Sequence, residues 1–349
     1  MRRQVSKDEV DRARDALVRA LGEAAPEHME LAAEPILRSR ASLLFFGVAG
    51  ERPRYVFKTA VLGDTAIDAT PALSSKDQFR ALTLAHRWFE EEDRHAAVRP
   101  LFYLEELDAV VMDYVDGRPF RSTVQRGVLQ PGPALAAATA AGDALRRLHQ
   151  HARVDEAVVD LADLADEVRE AEASALREVG LELPDDVARV LAGVPNRKVT
   201  RDRVVQHGDF APVNLILTAV DQVTIIDPSL VDVGLPEDDL GRFLAILSAY
   251  SVFVPGHVLP PVRRVRWELE RAFRSGYGKT ATDTAVMELR LLKQHVLRWR
   301  RRREFSARLA RSQQLMLARE RVIDRYMRVL VSESARRLSA FLDAGERAA

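Results

Sequence analysis

The sequence predicts an α+β chain of two lobes, a small N-terminal lobe built on an antiparallel sheet and a larger, mainly helical C-terminal lobe. Three observations predict it. Apolar runs at Leu43 to Val48 and Tyr55 to Thr59 flank the turn-rich Ala49-Gly50-Glu51-Arg52-Pro53, which marks a pair of antiparallel strands. From Pro133 onward most segments repeat their apolar residues with helical spacing. Between Val204 and Leu240 that pattern breaks into a polar loop and a second hairpin, Leu215 to Leu217 and Val223 to Ile226 around a turn containing Asp221. The division falls at an Asp-Gly turn, giving residues 1–116 to the first lobe and 117–349 to the second.

Composition allows this size and narrows the partners. Of 349 residues, 47% are hydrophobic, enough for a sizeable core. Lys+Arg and Asp+Glu both number 52, so no global field draws the chain to nucleic acid or membrane. The sequence contains no cysteine, which excludes disulfides, thiolate catalysis and cysteine-ligated zinc and suits a reducing cytosol. Arg2, Arg3 and Lys7 are not followed by an apolar core of a signal peptide, and no run approaches a membrane span, so the expectation is a soluble, cytoplasmic protein.

Taken in order, Ser6-x-x-Glu9 is a capping box that opens a helix with Val10, Ala13, Leu17 and Leu21 on one face. The two strands follow, the second ending in Tyr-Val-Phe-Lys58. A helix begins near Ser74-Ser75 and carries Phe79, Leu82, His86 and Phe89 along one side. Leu107 to Val115 reads as a buried strand closing on Asp116-Gly117. Pro133 to His149 is a helix whose terminal histidine fits a cap or dipole partner. Asp155 to Glu178 is acidic with helical spacing, a solvated face or a wall for a cationic acceptor, and Leu183 to Leu191 gives a shorter helix. After breaks at Val254-Pro-Gly and Leu259-Pro-Pro, a helix runs to Gly276-Tyr277-Gly278. Leu289 to Leu338 predicts one or two long basic helices containing Arg298 and Arg300 to Arg303, packed on the second lobe with the arginines in water or paired with Glu304 and Asp324.

The loop of the second lobe carries the chemistry. It reads His207-Gly208-Asp209, then Asn214, then Ile-Ile-Asp227 at the end of the hairpin. Four residues separate Asp209 from Asn214, the spacing used where one side chain takes a hydroxyl proton and the other holds magnesium during phosphoryl transfer. Magnesium is satisfied by one or two carboxylates with phosphate oxygens and waters, which Asp227 and Asn214 can complete. Asp209 is then left to orient the acceptor hydroxyl and receive its proton.

His207-Gly208-Asp209-Phe-x-x-x-Asn214, Ile-Ile-Asp227 and Gly234-x-Pro-x-x-Asp239-Leu together resemble the aminoglycoside phosphotransferase family, the small-molecule branch of the protein kinase-like fold. The resemblance is strongest from Val204 to Leu240 and extends, more weakly and in order, from Leu37 to Gly278. It implies a kinase that uses ATP, or GTP, with Mg2+ to phosphorylate a hydroxyl of an aminoglycoside-like, sugar or amino-alcohol acceptor. Asp209 is implied as the catalytic base and Asn214 and Asp227 as the metal ligands, with His207 and Asp239 supporting the loop. On the nucleotide side it implies Lys58 at the phosphates, Ser42 in the phosphate loop, and backbone groups near Asp113 and Val115 at the base with Met112 packed nearby.

Two features depart from that pattern. Arg38-Ser39-Arg40-Ala41-Ser42 has no glycine, leaving serine hydroxyls and amides to meet phosphate. The helix expected to offer Lys58 a glutamate presents Asp77 and Gln78 instead. These departures keep a catalytically weak nucleotide-binding module as an alternative. A second alternative is an interaction protein whose Arg298 to Arg303 segment meets a nucleic acid, an anionic membrane surface or an acidic partner.

Overall fold

The computed structural model describes residues 5–37, 41–60, 73–230, 232–278, 283–307 and 314–346. Helix α1 (Lys7–Leu21) opens on the expected capping box, Ser6 accepting from the Glu9 amide while Glu9 accepts from Ser6. Strands β1 (Met29–Leu37), β2 (Ala41–Val48) and β3 (Tyr55–Ala60) follow, then α2 (Ser75–Phe89) and the short β4 (Ala96–Ala97). With β5 (Pro100–Leu104) and β6 (Ala109–Asp113) they form a five-stranded antiparallel sheet in the order β1-β2-β3-β6-β5.

Strand alternation sorts this sheet into two faces. Leu44, Phe46, Phe57, Ala109 and Val111 pack with Ala13 and Leu17 of α1. Val56, Val110 and Met112 pack with Phe79 and Leu82 of α2. Lys58, two residues beyond Val56, therefore projects on the α2 side. Ser42 falls on the opposite face with Leu44 and Phe46, where its hydroxyl meets that of Thr59 at 2.5 Å.

Beyond residue 116 the chain is mainly helical. Strand β7 (Arg118–Pro119) leads into α3 (Phe120–Arg126) and α4 (Pro131–His151), then β8 (Arg153–Asp160), α5 (Leu161–Val179) and α6 (Asp185–Ala192). Strands β9 (Lys198–Val205), β10 (Leu215–Ala219), β11 (Gln222–Ile225) and β12 (Val233–Gly234) precede α7 (Pro236–Ser248), α8 (Pro260–Tyr277), α9 (Thr284–Ala307) and α10 (Gln314–Glu346). One small sheet has the order β4-β11-β10-β7, with β4 parallel to β11, and another β12-β9-β8. The first joins residues 96–97 to the hairpin that carries the site.

Helices α4 and α8 approach closely enough that a methyl at Gly142 would collide with the Phe273 carbonyl. The aromatic centre beside them has Phe243 stacked on Phe273 at 4.1 Å, with Phe210 and Phe120 against Phe243 at 5.4 and 5.7 Å. Phe210 immediately follows Asp209, so the loop is anchored in the main core.

One expectation is corrected. Residues 155–160 are not helical: they belong to β8, which pairs with β9 from Arg153 to Asp160. The apolar content of this edge strand is three valines and an alanine among charges, so its β signal is overprinted by the acidic run. The helix starts at Leu161, capped by Asp160. The arginines of α9 make the pairs expected of a helix packed on the second lobe, Glu304 and Asp324 among them. Arg300 bonds Ser174 and pairs with Glu178 and Glu304, Arg302 pairs with Glu320, and Arg303 pairs with Asp324 at 2.7 Å. The counter-charges of these three arginines come from α5, α9 itself and α10. Among the described residues no helix is long and apolar enough to cross a membrane.

Buried histidines make stability depend on pH. Burial lowers His95 below its ordinary 6.5, although Asp143 opposes the shift, and it lowers His207 and, further, His295. Below about pH 6.5 the unfolded chain takes up protons that these folded groups refuse, so stability falls as pH falls. Thermal melts are expected to be level above pH 7 and to drop progressively from pH 6.5 to 5. A midpoint that stays constant or rises over that interval contradicts this.

Candidate active site

The loop after β9 is shaped by two left-handed residues. Gly208 has φ +77°, and a Cβ there would stand 3.0 Å from the Ser229 Cβ, so the turn before Asp209 requires glycine. Asp227 has φ 62°, a conformation that aspartate tolerates better than most residues. It turns the chain out of β11 just as the Ile226 amide bonds the Asn214 carbonyl at 2.9 Å. Two residues on, the Ser229 amide bonds the His207 carbonyl at 2.8 Å. The hairpin thus returns Asp227 beside Asn214 and the His-Gly-Asp turn.

Asn214 is 1% exposed, and its amide nitrogen donates to the Asp209 carbonyl at 2.9 Å and to Oδ2 at 3.0 Å. The Asp209 side chain is 52% exposed to the cleft, yet the protein behind it withholds enough solvation to raise its carboxyl above the ordinary value. Arg242 on α7, at 3.6 Å, together with His207 and Asn214, pulls it back down.

Asp239, in the first turn of α7, accepts from the His207 amide at 2.7 Å and the Gly208 amide at 3.0 Å. His149, at the end of α4, meets Asp239 Oδ2 at 3.1 Å through Nε2 and the Tyr277 hydroxyl at 2.8 Å through Nδ1. Burial alone would raise the Asp239 carboxyl, but His149, His207 and the loop amides outweigh it and hold it below the usual range. His207 is itself fully buried, its Nδ1 accepting from the Asp209 amide at 3.3 Å and its ring edge-on to Phe210.

Across the cleft, Lys58 Nζ lies 2.5 Å from Asp227 Oδ1. Gln78 donates its amide to the same oxygen. The open question of whether Asp77 or Gln78 partners Lys58 is answered by Asp227, which holds the ammonium instead. Asp77 is committed to its own helix start, accepting from the Ser74 hydroxyl at 2.7 Å and from Arg80 at 3.2 Å. Lys58, Asp227, Asn214 and Asp209 form one connected group. Ser42 is not brought to it, being on the far face of the sheet, and Arg38 to Arg40 lie outside the described residues.

At the strand joining the lobes, Met112 is buried against Leu82 and Val98. The Asp113 amide is taken by the Arg99 carbonyl at 3.0 Å and its carboxylate by the Arg99 side chain, while the Tyr114 amide bonds Arg54.

On the other side of Gly208 opens a cavity of about 540 Å³. Its walls come from β8, α5, α7 and α9, with Asp160, Asp163, Glu167 and Arg242 among the lining residues. Glu167 is held by Lys293 at 2.6 Å and by Arg290, so the acidic helix spends part of its charge on α9.

Residues 37–253 match the model of the phosphotransferase enzyme family, well over half of the chain. The chain belongs to that family. The fold of this phosphotransferase is that of the small-molecule kinases. It is similar to a glucosamine kinase at 18% identity and TM-score 0.53, over 91% of this chain and 86% of that one. It is also similar to an ethanolamine kinase from Plasmodium vivax at 10% identity and TM-score 0.52, over 92% and 90%. At such identities the likeness is one of fold. A search of curated protein sequences gives no significant match.

Sequence reasoning missed His149 and Tyr277 as loop supports, and it missed Arg242. The Leu148-His149 and Gly276-Tyr277-Gly278 endings were the available signals for the first two. Arg242 had none, since its position two residues after Leu240 gains meaning only from the direction of α7.

Proposed function

We propose that this phosphotransferase moves the γ-phosphate of ATP to a hydroxyl of a small acceptor, an aminoglycoside-like compound, a sugar or an amino alcohol. The observation that carries the reading is the convergence of Lys58 from β3 with Asp209, Asn214 and Asp227 from the loop and hairpin of the second lobe. Residues 1–116 form the nucleotide side and residues 117–349 the acceptor side, in the cytoplasm, with Lys58 taking phosphate oxygens and the Asp113 and Val115 backbone the base.

The donor set fits a magnesium ion. Asp227 supplies a carboxylate and Asn214 an oxygen whose own amide protons are already used on Asp209. Among the described residues no three histidines or carboxylates gather as a metal cluster, and a metal completed by nucleotide phosphates does not require one. Bound magnesium supplies charge neutralisation and alignment of the phosphate chain. Asp209 orients the acceptor hydroxyl and accepts its proton while the oxygen bonds the γ-phosphorus and the bridging bond breaks to release ADP. Asp239, clamped by His149, fixes the amides of His207 and Gly208 and so the direction of Asp209. The cavity beside Gly208 receives the acceptor, and its wall holds both carboxylates, Asp160 and Asp163, and cations, Arg203 and Arg242, so it suits a polar acceptor.

The test is transfer of labelled phosphate from ATP or GTP, with magnesium, to a panel of aminoglycosides, sugars and amino alcohols. Acceptor-dependent ADP formation is expected. Nucleotide binding with no transfer to any acceptor favours the non-catalytic module, and absence of nucleotide binding by folded protein overturns the reading.

A further inference from the structure

Lys58 and the proposed metal carboxylate are each other's partners in this molecule. The Lys58 side chain is 14% exposed, and its ammonium sits on Asp227 Oδ1. Helix α2, on the same side of the sheet, brings a neutral amide from Gln78, and that amide also binds Asp227 Oδ1. Asp77, the neighbouring carboxylate, is turned into the cap of α2 by Ser74 and Arg80. No described residue of α2 gives Lys58 a carboxylate.

One carboxylate oxygen thus serves three claimants: Lys58, Gln78 and an incoming cation. A buried ammonium needs a counter-charge, so Lys58 leaves Asp227 only when another anion replaces it. Nucleotide phosphate is such an anion, and its arrival bares Asp227. A cation at Asp227 in turn sets Lys58 free for phosphate. A glutamate in place of Gln78 would break this arrangement, since it would hold Lys58 permanently and leave Asp227 open.

We propose that Lys58, Asp227 and Gln78 form a latch that couples nucleotide and divalent metal binding, each ligand releasing the group that receives the other. This rests on the assignment of Asp227 to metal and Lys58 to phosphate made above. Gln78 is a positioning residue in this scheme. It anchors the Asp227 oxygen without offering Lys58 an alternative charge.

By linkage, the factor by which nucleotide strengthens metal binding equals the factor by which metal strengthens nucleotide binding. The measurement is Mn2+ binding to the full chain, read by the loss of the free-ion electron paramagnetic signal, with and without ADP. Fluorescent ADP titrations in EDTA and in Mn2+ supply the reciprocal factor. For wild type the coupling is expected to be about 50-fold, with weak binding of Mn2+ alone. In Gln78→Glu, checked for folding by its thermal melt, Mn2+ alone is expected to bind about 10-fold more tightly and the coupling to fall below about 5-fold. Gln78→Ala, which adds no charge, is the control for simple attraction and is expected to keep Mn2+ alone within about 2-fold of wild type because Lys58 still covers Asp227. Wild type that binds nucleotide with metal, beside a Gln78→Glu variant of unchanged coupling, overturns the latch and leaves the kinase reading standing. Folded wild type that binds no nucleotide with Mn2+ overturns the kinase reading, and the latch with it.

Discussion

Asp209→Asn is expected to lower kcat by a factor on the order of 10²–10⁴ while leaving nucleotide affinity nearly unchanged. The substitution keeps the shape of the side chain and an oxygen for the Asn214 amide, which donates to Asp209 Oδ2 at 3.0 Å. What is lost is the negative charge that holds the acceptor hydroxyl and takes its proton. In the proposed site the nucleotide is held by other residues, Lys58 and the strand between the lobes, so binding and turnover are expected to separate. Steady-state kinetics with the best acceptor from the panel, beside a nucleotide titration, check this. A variant with kcat within a few-fold of wild type removes Asp209 from the role of base.

Asp239→Ala is expected to cost about 3–5 kcal/mol of stability. Asp239 is 1% exposed and receives the His207 amide, the Gly208 amide and the His149 ring. Alanine leaves all three donors buried without an acceptor, each with a desolvation cost of about 1–3 kcal/mol. At about 2.1 cal/mol/K of unfolding entropy per residue, the loss corresponds to a melting point lower by roughly 4–7 °C. Activity falls further than stability explains, because the freed turn no longer aims Asp209. A melting point within about 1 °C of wild type, with activity retained, shows that the loop is held by other contacts.

The fold was legible wherever local chemistry and tertiary packing agree. The capping box of α1, the turn between β2 and β3 and the hairpin of β10 and β11 all announce themselves within a dozen residues. β8 was hidden because six of its eight positions carry charge or face water, so its strand character comes from pairing with β9 some forty residues away. At the site, the spacing of Asp209 and Asn214 and the placement of Asp227 could be read because a single loop and hairpin supply all three. The partner of Lys58 could not, since Asp227 is 169 positions distant. Among the arginines of α9, the pairs with Glu304 and Asp324 could be read from the sequence, whereas Glu178 and Glu320 could not be named, since a run of one sign does not reveal everything that faces it in space.

The central claim is that nucleotide phosphate and magnesium meet at Asp227, between Lys58 and Asn214. The most direct test is an ATP-binding titration with and without magnesium, wild type beside Asp227→Ala, each shown to be folded by its melt. Magnesium-dependent binding in wild type that weakens by at least about tenfold in the variant is the predicted result. Equal binding by both proteins, or none by folded wild type, contradicts it.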